Sequence, residues 1–103
     1  MFVVKSNLEW MIKHSNLIVP APEKINDVSI DLRLHNLILL SEEGILDLSN
    51  PKIKYKEITI NELGYRLDPG AFVLSATHEV VTIPNDHLGF IETKGNIARA
   101  GLQ

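Results

Sequence analysis

The closing stretch "IETKGNIARAGLQ" (residues 91–103) contains the residues best suited to binding an anion. Lys94 and Arg99 carry positive charge, and Arg99 can grip two phosphate oxygens in a fork whereas Lys94 acts as a point charge. Gly95 lets the backbone approach a ligand closely, and Asn96 adds a polar amide. The same residue types also form ordinary turns. From spacing alone, a phosphate-binding segment and a plain turn both remain open.

A second candidate is the carboxylate of Asp31, in the middle of a segment whose neighbours are apolar. Burying a carboxylate without partners is costly, so a buried Asp31 would need a specific role. Asp31 shares its side of the predicted strand with Arg33, however, and polar strand faces are readily solvated. A water-exposed Asp31 beside Arg33 is therefore the alternative.

The other residues that could do chemistry lack an informative spacing. The four histidines are scattered without metal-ligand spacing, and we interpret each as a surface or structural residue: His14, His35, His78 and His87. Solvated loops account for the carboxylates of Glu42, Glu43 and Asp47, which lie among polar residues near turns. No nucleophile elbow, Walker loop or dinucleotide fingerprint occurs. We therefore predict no protein-bound metal and assign no catalytic residue from these patterns.

One helix is predicted, in "SNLEWMIKHSN" (residues 6–16) near the start of the chain. Ser6 and Glu9 have the spacing of a capping box, which satisfies two backbone donors at a helix start. Asn16 is suited to ending the helix. The helical spacing itself is shared by Leu8, Met11, Ile12 and Ser15.

The remainder of the chain shows the pattern of short strands. Apolar and polar residues alternate from Val28 to Leu34, which predicts a half-buried strand. "HNLILL", "ILDL" and "YKEITI" continue the pattern, separated by Gly44 and "SNPK". The clearest hairpin-like stretch is "LDPGAFVLSATHEVVTI" (residues 67–83), where Pro69–Gly70 fits a type II turn, and "PNDH" makes the next turn. We predict a mostly β chain.

Length and composition fit one soluble globular domain. The chain has 103 residues, of which 45% are hydrophobic and 22% charged. A formal net charge of −3 argues against a general nucleic-acid binder, although it permits an anionic ligand held by local cations. Cysteine is absent, which excludes disulfides and cysteine-bound zinc. With no signal peptide or membrane-length apolar segment, we expect a cytoplasmic protein that binds neither nucleic acid nor membrane.

Taken in order, these blocks resemble the dCTP deaminase branch of the trimeric dUTPase-like superfamily. The likeness spans the opening helix, "INDVSIDLRLHN" as the family's V-D-x-R-L-x-N strand, and "YRLDPGAFVLSATHEVVTIPNDHLGFIETKGNIARAGL". Its most specific part is "GFIETKGNIARAGL", where family members typically read G-x-x-x-G-[RK]-S-S-[LI]-[AG]-R-L-G-L. The resemblance implies a distorted β-barrel or jelly-roll-like domain over residues 1–103, with a short N-terminal helix, in a homotrimer.

The resemblance also implies roles for individual residues. Lys94 takes the basic place of the phosphate-binding element, Gly95 and Asn96 take the places of its two serines, and Arg99 takes the later arginine. Asp31 corresponds to the acidic residue of the first motif. Because both serine hydroxyls are missing, we expect weaker or altered phosphate binding.

By resemblance the ligand is dCTP or dUTP with Mg²⁺ accompanying the triphosphate, and the family reaction is hydrolytic deamination of dCTP to dUTP. The family's catalytic glutamate lies in a strand that would follow Gln103, so we expect a chain truncated before the catalytic segment. Two alternatives stay open. One is a non-catalytic structural or regulatory trimer with a degenerate nucleotide site, and the other is a dUTPase-type diphosphatase relative.

Overall fold

The computed structural model describes residues 1–41, 48–49 and 54–102 of the chain. Within them the elements are, in chain order, helix α1 (Lys5–Ser15), strands β1 (Ile18–Val19), β2 (Leu34–Ser41), β3 (Tyr55–Thr59), β4 (Val73–Thr77) and β5 (Val80–Val81), and helix α2 (Gly95–Arg99). The prediction of a mostly β chain with a short N-terminal helix is confirmed. The architecture is consistent with a dUTPase-like fold, and the described residues form two sheets without closing a barrel.

Helix α1 forms because its apolar residues recur at helical spacing. Leu8 and Met11 are buried on one face of the helix, as predicted. Asn16 ends the helix in the left-handed conformation (φ 51°), which asparagine tolerates better than most residues. The predicted capping box is wrong, because the cap residue is Val4 and makes no side-chain hydrogen bond to the helix. Instead the backbone N–H of Lys5 donates to the Asp27 carbonyl at 2.7 Å, so a distant residue satisfies this donor.

The larger sheet has three antiparallel strands in the order β3–β2–β4. Ile38 of the central strand is only 2% exposed and lies opposite Ile58 on one side and Ser75 on the other. The pairing of β2 with β4 shifts register between Leu34 and Ile38, as at a β-bulge. The predicted strands "HNLILL" and "YKEITI" are thus confirmed as β2 and β3. The carboxylates Glu42, Glu43 and Asp47, Gly44, and most of "ILDL" and "SNPK" lie outside the described residues.

The second sheet pairs β1 with β5 in antiparallel register, Ile18 opposite Val81 and Val19 opposite Val80. Residues 67–83 consequently do not form a hairpin, because β4 joins the larger sheet while β5 joins β1. Both predicted turns do form. Gly70 has a φ of 79° and the Ala71 N–H donates to the Asp68 carbonyl at 2.9 Å.

The predicted strand from Val28 to Leu34 is wrong over most of its length, since β2 begins only at Leu34. Arg33, the last residue before β2, lacks one of the contacts of a strand ladder. Its backbone N–H donates to the side chain of Glu79 rather than to a carbonyl of a neighbouring strand. The apolar side of this segment was predicted correctly at two positions, Ile30 and Leu32. Both pack on the core, which is formed by Leu8, Met11, Leu17 and Ile18.

Candidate functional site

The KGNIAR segment (residues 94–99) forms one short helix preceded by its cap residue. Lys94 is extended (φ −60°, ψ 141°), and its carbonyl accepts the backbone N–H groups of Ile97 at 3.0 Å and Ala98 at 2.8 Å. The chain turns away after the helix, where Gly101 has a φ of 94°. The segment therefore sets the two predicted cations, Lys94 and Arg99, at opposite ends of α2.

Gly95 leaves room for a side chain at its position. A Cβ atom added to Gly95 would meet nothing closer than Nη2 of Arg99 at 4.0 Å, which is an ordinary van der Waals distance. The same distance shows that the Arg99 guanidinium reaches back beside the first residue of the helix. Within the described ranges, Arg99 makes no ion pair or side-chain hydrogen bond, so its donors are available to a ligand.

Asp31 is exposed, as the alternative expected, and its side chain contacts the KGNIAR segment. Its Oδ2 atom accepts a hydrogen bond from Lys94 Nζ at 2.6 Å, across 63 positions of sequence. Its Oδ1 atom accepts from Nδ2 of Asn26 at 3.0 Å. The hydrogen bond from Lys94 is the main cause that holds the pKa of Asp31 below its usual range, with smaller help from Asn26. Two blocks singled out separately in the sequence thus meet in one contact.

Sequence reasoning missed Glu79, a buried carboxylate only 4% exposed. Oε1 of Glu79 accepts the backbone N–H of Arg33 at 2.7 Å and lies 3.5 Å from the guanidinium Nε of the same residue. The hydroxyl of Thr77 donates to the Glu79 carbonyl at 2.7 Å and holds the bend between β4 and β5. The sequence does contain a signal for Glu79, because it is the lone carboxylate of the apolar run "EVVTI". As for Asp31, burying such a carboxylate without partners would be costly.

Two of the four histidines are neighbours in the structure. His35 and His78 have ring centroids 6.4 Å apart, while His14 lies 4.9 Å from Trp10, also between centroids. His87 Nδ1 is 2.6 Å from Oδ1 of Asp86, and this hydrogen bond lowers the pKa of Asp86. In the part of the chain that the structure describes, no three His, Asp or Glu side chains are grouped so that they could hold a metal ion.

Two open cavities flank these elements. The larger, about 380 Å³, lies where α1 meets the turn at residues 84–87, and Trp10, Met11 and Pro84 contribute to its wall. The smaller, about 240 Å³, includes Phe72 and Val73 together with Thr93 and Leu102, which bracket the KGNIAR segment in sequence. None of the predicted anion-binding residues lines the smaller cavity. Among the described helices, none has the length and apolarity to cross a membrane.

The two sheets and the short N-terminal helix are consistent with the dUTPase-like class of β proteins. Residues 4–103 match the protein family described as dCTP deaminase-like, and the chain belongs to that family. The resemblance inferred from the motifs is thereby confirmed. No solved structure gives a significant match to the chain.

Curated relatives that the chain resembles are named dCTP deaminases. The chain is 33% identical over 109 residues to "dCTP deaminase" of Buchnera aphidicola subsp. Acyrthosiphon pisum, covering 91% of this chain and 56% of that protein. It is 37% identical over 94 residues to "dCTP deaminase, dUMP-forming" of Hydrogenobaculum sp., covering 88% and 52% respectively. A third relative, "dCTP deaminase" of Alteromonas mediterranea, is 32% identical over 96 residues, covering 81% and 49%. The chain spans about half the length of the curated relatives it matches.

Proposed function

We propose that this chain binds the triphosphate of a pyrimidine deoxynucleotide, dCTP or dUTP, through Lys94, Gly95, Asn96 and Arg99. The observation that carries the proposal is the convergence of the two family blocks, where Asp31 contacts Lys94 at 2.6 Å at the start of α2. Lys94 and Arg99 give the segment two cations, and charge-assisted hydrogen bonds to phosphate are the strong ones. Gly95 adds an unobstructed stretch of backbone between them.

The reaction in this proposal is the hydrolytic deamination of dCTP. The oxygen of a water molecule bonds to C4 of the cytosine ring, the C4–N bond breaks, and the amino group leaves as ammonia to give dUTP. The KGNIAR segment binds the triphosphate in this proposal. We do not assign a residue that assists the attack of water on the ring. Mg²⁺ belongs to the ligand in this proposal, because it accompanies triphosphates and neutralises their charge. The cytoplasmic location inferred from the sequence stays a prediction.

The test is a calorimetric titration with dCTP and with dUTP, each with and without Mg²⁺, followed by product analysis of the dCTP mixture. Binding of either nucleotide that weakens on Arg99→Ala, but not on Arg66→Ala, supports the site. Arg66 is a suitable control because its side chain is 89% exposed and its partner is Asp68, outside the KGNIAR segment. Formation of dUTP would support the deaminase activity, and formation of dUMP would point to the type of relative named "dUMP-forming". An absence of nucleotide binding would contradict the proposal.

A second candidate function is a non-catalytic structural or regulatory trimer. Gly95 and Asn96, which stand where relatives typically have serines, favour it because two hydroxyl donors are lost from the phosphate-binding element. Nucleotide binding without any product would indicate an inactive nucleotide-binding protein. Trimer formation without nucleotide binding would indicate the structural role.

Assembly as a homotrimer is part of both candidates. The segment after β5 exposes large apolar side chains, Leu88, Phe90 and Ile91, each more than 80% accessible. Such a concentration of exposed apolar surface is typical of a region covered by another chain. We propose that further copies of the chain cover it. Light scattering should give three times the mass of a single chain, and Phe90→Ser should shift the population towards monomer. A monomeric wild-type protein would overturn this assembly.

A further inference from the structure

The Asp31 carboxylate is oriented from two sides. Oδ2 accepts a hydrogen bond from the Lys94 ammonium at 2.6 Å, and Oδ1 accepts one from Nδ2 of Asn26 at 3.0 Å. Asn26 is itself fixed, since its Nδ2 lies 3.2 Å from the Ser29 hydroxyl and its backbone N–H donates to the Ser29 carbonyl at 3.0 Å. The turn at residues 26–29 therefore aims the carboxylate at Lys94.

The two cations of the KGNIAR segment therefore differ in whether a protein side chain already binds them. The ammonium of Lys94 already has an oxyanion partner, whereas Arg99 has no polar side-chain partner among the residues described. A carboxylate and a phosphate oxygen both accept hydrogen bonds from an ammonium, so they compete for Lys94. A phosphate approaching the segment also meets the negative charge of Asp31.

We propose that Asn26 and Asp31 are positioning residues that hold the Lys94 ammonium in the ligand-free protein, and that a triphosphate displaces the Asp31 carboxylate when it binds. This inference rests on the proposed function and adds a regulatory contact to the same site. Both partners are about half exposed, with side-chain accessibilities of 53% for Lys94 and 46% for Asp31. Exposed ion pairs are weak, and a ligand with several negative charges outcompetes one carboxylate.

The charges around Asp31 agree with this arrangement. The Lys94 hydrogen bond, the Asn26 hydrogen bond and the nearby charges of Lys94 and Lys24 all lower the pKa of Asp31, against an opposing effect of partial desolvation. Asp31 is therefore ionised at neutral pH and remains a competitor for Lys94 under the conditions in which a nucleotide would bind.

The experiment uses inorganic tripolyphosphate, which isolates phosphate contacts from contacts to the base. Calorimetry on wild type, Asp31→Asn, Lys94→Gln and the double variant forms a cycle. Asp31→Asn should bind about two- to tenfold more tightly, because it keeps the shape of the side chain and removes the competing charge. The gain should be largely lost when Lys94→Gln is also present. Asn26→Ala should give a smaller gain, and Asp68→Asn, which alters an exposed ion pair with Arg66, should give none.

A second measurement tests the contact without any ligand. NMR titration of the Asp31 carboxyl carbon should show a pKa that rises towards its usual range in Lys94→Gln and, to a smaller extent, in Asn26→Ala. An unchanged pKa in Lys94→Gln would overturn the inference, because the ion pair would then be absent in solution.

The outcomes separate this inference from the proposed function. If Lys94→Gln and Arg99→Ala weaken tripolyphosphate binding but Asp31→Asn does not strengthen it, the phosphate site stands and the competing contact is wrong. If tripolyphosphate binds and neither cation matters, the proposed site is wrong as well. If no variant binds tripolyphosphate, the competing contact has no ligand to act on and is overturned. The nucleotide titrations then decide the proposed function alone.

Discussion

Glu79 accepts the backbone N–H of Arg33 through both carboxylate oxygens, at 2.7 and 3.2 Å, across 46 positions of sequence. The glutamate is buried while the Arg33 side chain is largely exposed. The side chain of Glu79 thus takes the place of a strand carbonyl, and it joins the bend after β4 to the segment that leads into β2. This contact keeps the 31–33 segment beside the two sheets.

Glu79→Ala should destabilise the protein by about 1–3 kcal/mol, because it leaves the Arg33 N–H without a partner in a partly buried place. Chemical denaturation of the two proteins measures the difference. Glu62→Ala is the matched control, since Glu62 is exposed, and it should change stability by less than about 0.5 kcal/mol. Equal effects of the two substitutions would mean that the Glu79 contact contributes nothing specific.

Arg99→Ala should weaken binding of a deoxynucleoside triphosphate by about tenfold to a hundredfold, the range expected for losing one charge-assisted contact. It should leave the melting temperature nearly unchanged, because Arg99 makes no polar side-chain contact within the described part of the chain. Affinity and melting temperature should be measured on the same preparation. Lost stability with unchanged affinity would identify Arg99 as a structural strut instead.

Replacing both Gly95 and Asn96 by serine should tighten triphosphate binding, because it supplies the two hydroxyl donors that the motif resemblance implies at these positions. The space beside Gly95 accepts the new Cβ, as its nearest contact would be 4.0 Å away. The control is the variant with alanine at both positions, which adds the Cβ at position 95 but supplies no hydroxyl. Equal affinities for the serine and alanine variants would show that hydroxyl donors are not what the site lacks.

Stability should depend on the ionisation of Asp31. Its pKa is lowered in the folded protein, chiefly by the Lys94 hydrogen bond, so the folded state favours the ionised form. The resulting stabilisation is present above the pKa of the unfolded chain, about 4, and is lost as the pH falls through the lower folded value. The difference in unfolding free energy between wild type and Asp31→Asn should therefore stay constant from neutral pH down to about pH 5 and shrink as the pH falls below about 4. A difference that stays constant below about pH 4 would contradict the prediction.

Local sequence patterns predicted where the helices and strands lie better than they predicted which segments contact each other. The spacing of Leu8 and Met11 predicted α1, and Asn16 predicted its end, because these signals depend on neighbouring residues. The start of α1 was missed because the Lys5 N–H is satisfied by Asp27, a contact that no local motif encodes. The β4–β5 region was misread for the same reason, since its two strands pair with β2 and β1 far away in sequence.

In the candidate site, too, individual residues were predicted better than the contacts between them. Lys94, Arg99 and Asp31 were each found from residue type and family motif, yet nothing local indicates that Asp31 and Lys94 touch. Asn26 and Glu79 were both missed. An asparagine in a turn becomes informative only through its contact with Asp31, whereas Glu79 had a sequence signal as the lone carboxylate of the run "EVVTI". The roles of Lys94, Gly95, Asn96 and Arg99 in phosphate binding remain predictions.

The two edge strands of the larger sheet, β3 and β4, differ in charge. Among the described residues, β3 and β4 each pair only with β2, so each has an outer edge of backbone groups free of sheet partners there. Strand β3 carries Lys56 and Glu57, whereas β4, "VLSAT", carries no charge. Charged side chains on an edge strand discourage the addition of another strand. A polypeptide that extended this sheet would therefore meet less resistance along Val73–Thr77 than along Tyr55–Thr59.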